Sequence, residues 1–153
     1  MQRLLLVGVV LALIFGFSDS SVLYTSNIVT QDWQWSKDHN KIELITGLDQ
    51  QQWLEEIESL PPSILESLPE IDFQREIPLL VTLGKQPTGG YSINIDQVVK
   101  DSSGLVITIS RRSPGADDFV SMALTYPYDF VTIARKGIKE TVTVIDREGN
   151  ILP

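Results

Sequence analysis

The stretch Ile77-Pro78-Leu79-Leu80-Val81-Thr82-Leu83-Gly84-Lys85-Gln86-Pro87-Thr88-Gly89-Gly90-Tyr91-Ser92-Ile93-Asn94-Ile95 decides how this chain is read. Both ends carry aliphatic and β-branched residues in near alternation, the pattern of strands. Between them Pro87 presets φ while Gly89 and Gly90 accept positive φ, so the chain can reverse there. The loop Gln86-Pro87-Thr88-Gly89-Gly90-Tyr91 exposes backbone groups and an aromatic edge. It carries nothing that performs acid–base or nucleophilic chemistry by itself. It reads as a hairpin tip presented to a partner.

Downstream, the same alternation predicts strands over 105–112, 122–125 with a continuation at 130–134, and 141–146. The flanks of the opening stretch are strands over 77–83 and 91–99. Turn signals fall at 101–104, 113–118, 126–129 and 135–137. Short connections between consecutive strands favour an antiparallel meander.

Upstream, residues 42–46 form a plausible first strand closed by Gly47. Asp49 has the chemistry of an N-cap, and Gln52 three residues later completes a capping-box pattern. Trp53, Leu54, Ile57 and Leu60 follow at helical spacing, with Glu55, Glu56 and Glu58 on the outer face. Pro61-Pro62 stops the helix. The fold class is therefore α+β: an N-terminal helix packed on an antiparallel sheet that can curl into a partial sandwich or barrel. Residues 1–20 read as a signal peptide, 21–41 as a polar arm with Trp33 and Trp35, and 42–153 as the domain.

Composition limits what such a domain does. The 153 residues carry a net charge of -8, against a general nucleic-acid binder that needs a basic face. The acid is concentrated: residues 43–76 hold nine carboxylates against Arg75 alone, whereas acids and bases cancel from 77 onward. A solvated helix face accounts for this, or a surface that steers a basic partner. Met1-Gln2-Arg3 before an apolar run to Phe17 is too short to span a bilayer comfortably. With small residues at Gly16, Ser18 and Ser20 it reads as an export signal, placing the chain in the periplasm, on the cell surface or in the medium. Membrane contact is expected only if that segment stays uncleaved. The chain has no cysteine, so thiolate chemistry and disulfides are ruled out, which fits a bacterial exported protein.

No catalytic constellation is legible. His39 is the single histidine and lies in a polar stretch, so neither a zinc site nor a Ser–His pair has material. Asp117-Asp118 lacks the spaced ligands of a calcium loop. Lys85 to Gly90 lacks the Gly-Lys-Ser/Thr ending of a phosphate loop. A hydrolase built on paired carboxylates stays open, because distances are invisible in sequence. No cofactor or metal is expected. A second candidate surface is Tyr126-Pro127-Tyr128, where proline lowers ordering entropy and tyrosines offer large amphipathic contact area.

These residues resemble a known family. The strand, the Gly-x-x-Pro-Thr-Gly-Gly-Tyr loop formed by Gly84 to Tyr91, the second strand, the Ser113-Pro114-Gly115 turn and Ala123-Leu124-Thr125-Tyr126-Pro127-Tyr128 are similar to the C-terminal domain of the protease complex subunit PrcB. Gln51-Gln52-Trp53 matches its upstream helix, and the resemblance runs from Ile42 to Asp146. It implies a non-catalytic exported or surface protein associating with a subtilisin-like protease; from the residues themselves, Gln86 to Tyr91 and Tyr126 to Tyr128 are the expected contact loops. A fainter resemblance to chagasin-type inhibitors of papain-like proteases rests on the same two loops. It departs from them at Gln86 and Gly89, and implies a wedge of Pro87 to Gly90 backbone in an active-site cleft.

Overall fold

The structure, a computed structural model, describes residues 21–25, 30–32, 42–60, 65–66, 68–139 and 141–152. The expected signal peptide, Trp33, Trp35 and His39 lie outside the described residues. Among the described residues the elements follow in the order β1 (Ser21–Thr25), β2 (Thr30–Asp32), β3 (Glu43–Thr46), α1 (Gln50–Ile57), β4 (Glu76–Thr82), β5 (Ser92–Lys100), β6 (Leu105–Arg112), β7 (Tyr126–Ala134) and β8 (Val142–Ile145). They form two four-stranded sheets, β1-β5-β6-β8 and β2-β7-β4-β3, packed face to face. The described residues are thus mostly β, with one wholly antiparallel sheet, one made mixed by β8, and the short α1.

The expected meander does not form throughout. Among the described residues β5 and β6 form a tight hairpin joined at 101–104, and β3 and β4 pair antiparallel across the intervening α1. From β4 to β5 and from β6 to β7 the chain changes sheet, and β8 returns to pair in parallel with β6. Residues 21–25 and 30–32 of the expected polar arm supply an edge strand to each sheet.

Burial on two faces explains the long apolar run of β4. Ile77, Leu79 and Val81 fill the interior between the sheets, while Leu80 points to the opposite face under α1. A strand covered on both sides reads as continuous hydrophobicity. Pro78 is tolerated in this inner strand because its position lies just past the end of β3, where its carbonyl accepts the Gly47 N–H at 2.8 Å.

In β5 the buried residues are Ile93, Ile95 and Val98, a change of parity that strict alternation forbids. A bulge resolves it: Ile95 faces Ile109 and Gln97 faces Thr108, leaving Asp96 as the extra residue. Asp96 accepts a hydrogen bond from Ser110 Oγ at 2.8 Å and two from Arg147, at 2.6 and 3.0 Å.

The helix begins where the cap predicts. The Gln52 N–H donates to Asp49 Oδ1 at 2.9 Å, but the Gln52 side chain turns forward to Glu56 instead of completing the box. Trp53 is the anchor. It is 1% exposed and meets Phe130 with ring centroids 6.3 Å apart, among Ile45, Leu60, Leu80, Tyr126 and Tyr128. Among the described residues no helix is long and apolar enough to cross a membrane.

Candidate functional site

The loop between β4 and β5 is not a hairpin tip, because its flanking strands belong to different sheets. It first extends the β4–β7 ladder. The Leu83 N–H donates to Pro127 O at 2.9 Å, and Gln86 and Thr125 exchange backbone hydrogen bonds of 2.8 and 3.0 Å. Thr125 Oγ1 then donates to Thr88 O at 2.8 Å, and the Gly89 N–H donates to Ser121 O at 2.9 Å. From Gly90 the chain crosses to the other sheet. Pro87 and Gly90 are exposed, Gln86, Thr88 and Tyr91 are half-buried, and Gly89 is buried.

The two glycines owe their place to a neighbour. A Cβ on Gly89 would lie 2.6 Å from Ser121 Oγ, and one on Gly90 would lie 2.7 Å from Val120 Cγ1 and 3.0 Å from Pro114 Cβ. Gly90 also holds φ at +85°, which side chains rarely adopt. The Pro-Thr-Gly-Gly segment is therefore a seat on which the β6–β7 loop, residues 113–125, rests against bare backbone.

The second expected loop requires correction. Tyr126, Pro127 and Tyr128 lie inside β7, not in a turn, and all three are buried. Tyr126 and Tyr128 face Trp53 beneath α1 and are each only 6% exposed. Pro127 escapes the usual penalty because its carbonyl meets Leu83 just beyond the end of β4, so its missing N–H falls where the ladder has become irregular. As a recognition surface these residues are closed off.

What the loop pair does present was not singled out by sequence. Phe119, Met122 and Leu124 are 106%, 90% and 47% exposed, three of the five exposed large apolar side chains among the described residues. Met122 and Leu124 fall in the strand expected over 122–125, which does not form: β7 starts at Tyr126 and residues 122–124 stay in the loop. The base of the loop is braced: Gly115 N–H donates to Asp118 Oδ2 at 2.9 Å, and Arg112 approaches the same oxygen at 3.6 Å. Asp118 is thus occupied as a loop closer. Beside the seat, Leu83, Gln86, Tyr91, Arg111 and Ser113 line a hollow of about 430 Å³. A larger hollow of about 720 Å³ flanks α1, where Glu55 and Glu58 are exposed.

Among the described residues, no three His, Cys, Asp or Glu side chains gather where a metal could be held. Two carboxylates do interact electrostatically, Asp96 and Asp129. Burial pushes the Asp129 carboxyl above its ordinary value, although backbone N–H groups of Ile95 and Phe130 pull the other way. Asp96 is also raised by burial, but hydrogen bonds from Arg147 and Ser110 outweigh this and hold it low. Asp129 is 1% exposed and Asp96 is clamped by Arg147, so this pair ties strands together.

Residues 78–134 match the family model described as PrcB C-terminal. The PrcB resemblance read from the sequence is shown for this segment. It starts in β4 and ends with β7, so it takes in both loops and the seat between them. β3, α1 and β8 fall outside the PrcB match. No curated protein and no solved structure matches the chain.

Proposed function

We propose that this protein is an exported, non-catalytic binding module that joins a protease complex as an accessory or stabilising subunit. The end of the sandwich formed by residues 83–91 and 113–125 is its contact surface. The PrcB C-terminal match supports association with a protease complex, and the leader-like residues 1–20 support export. The observation that carries the assignment to this end is the seating of the 113–125 loop on Gly89 and Gly90. A motif whose glycines exist to hold another loop in place is a scaffold for presentation.

The inhibitor reading finds less support. A wedge needs Pro87 to Gly90 free to enter a cleft, yet Gly89 is buried under Ser121 and Thr88 O is engaged by Thr125. The test is co-purification of the full chain with the secreted subtilisin-like protease of its own source, followed by peptide hydrolysis by the complex. An accessory subunit leaves hydrolysis in place and lengthens the protease's half-life. Loss of hydrolysis on binding would establish inhibition instead, and turnover by the chain alone would make it an enzyme.

A further inference from the structure

We infer that Phe119 and Met122, flanked by Leu124, are anchors that insert into an apolar socket on the protease partner, with a basic residue at the socket rim facing Asp117. This rests on the function proposed above and names the chemistry of its contact. Phe119 and Met122 stand almost wholly in solvent, beside a core already filled by the strands of both sheets. Exposed apolar groups gathered on one loop mark interaction sites, whereas scattered single ones do not. The loop is also ordered before contact. Its base is closed by Asp118 on Gly115 and Arg112, and its far side is pinned by Ser121 on Gly89 and Thr125 on Gln86. Little ordering entropy then opposes docking, the property that turns exposed area into affinity.

Charge favours a protein over a lipid surface. Asp117 and Asp118 directly precede Phe119, and the chain carries -8 overall, so an anionic bilayer would repel the finger. Asp118 is matched by Arg112, while Asp117 has no ion pair with a described residue. A cation on the partner completes it.

The probe is the purified secreted subtilisin-like protease from the same source, bound to the full chain on a biosensor. Phe119→Ser with Met122→Ser should weaken binding by roughly thirtyfold or more, and Ile151→Ser, an exposed apolar change elsewhere, by no more than about twofold. Asp117→Lys should slow association and reduce its salt dependence. Because the chain has no cysteine, Met122→Cys gives a single labelling site, and an environment-sensitive dye there should shift to the blue when protease is added. Unchanged thermal melting shows that these surface variants remain folded.

Equal affinity of the double variant and the parent would overturn the socket while leaving the accessory role intact. Failure of the parent itself to bind the protease would overturn both. Binding to phosphatidylethanolamine–phosphatidylglycerol vesicles, or self-association, that disappears with Phe119→Ser would overturn the protein socket in favour of lipid or a second copy.

Discussion

The carboxylate of Asp129 accepts the backbone N–H of Ile95 at 2.7 Å, a bond from β7 of one sheet to β5 of the other. Its second oxygen accepts the Phe130 N–H at 2.9 Å. A carboxylate on the inner face of a sandwich is costly unless it satisfies donors, and here it does so beside the Asp96 bulge. Asp129→Ala should lower the unfolding free energy by about 1–3 kcal/mol, the usual cost of stranding a buried donor, as read from urea denaturation.

The same residue carries a pH signature. Its carboxyl is raised in the folded chain, so its contribution is whole below the ordinary carboxylate value of about 3.9 and is lost as pH rises through the raised one. Asp129→Asn removes that decline. The stability of the variant relative to the parent should therefore climb as pH rises above about 4. A difference that stays level across this range would show that the buried carboxyl titrates as it does in the unfolded chain.

Asp96 should behave with the opposite sign. Arg147 and Ser110 hold it below the ordinary value, so its stabilisation is present at neutral pH and lost as acid protonates it. Arg147→Met should destabilise the fold at pH 7 and leave it nearly unchanged in strong acid. Thermal melts at the two extremes decide this.

Gly90→Ala should cost about 1–2 kcal/mol for the left-handed backbone alone. Gly90→Val should cost more, since the added branch meets Val120 and Pro114. Limited proteolysis should then cut within 113–125 sooner than in the parent. Cleavage at an unaltered rate would mean that the loop does not depend on its seat.

Trp53→Ala should cost about 3–5 kcal/mol, as for other large aromatic side chains removed from a core. It should also loosen α1 from β4 and β7, visible as faster amide exchange at Leu80 and Phe130. Retained protection at both would show that the helix is held by other contacts.

Much of this fold is legible residue by residue. Leu105, Ile107 and Ile109 alternate without interruption, and β6 spans the expected 105–112. Asp49 and Trp53 place the cap and the anchor of α1. What misleads is proline. Pro127 between two tyrosines has the composition of a turn, yet it sits in β7, its carbonyl accepting the Leu83 N–H while its missing N–H falls just past Thr82, a fact that depends on where β4 ends. The change of sheet between β4 and β5 is equally hidden. A Pro-Gly-Gly loop that reverses a hairpin and one that steps between layers need the same local backbone, and only pairing with β7 and β6 tells them apart. The site was half legible for that reason: the glycines announce themselves, while Met122 to Thr125 in the loop they carry alternate like a strand that does not form.

The clasp between the two loops has a mechanical consequence. Tension applied at Phe119 runs along the backbone into β6 and β7, and the hydrogen bonds at Ser121–Gly89 and Thr125–Gln86 pass part of it to the segment between β4 and β5. Since β6 and β7 belong to different sheets, neither sheet bears the strain alone. A grip on this loop is a grip on the whole sandwich.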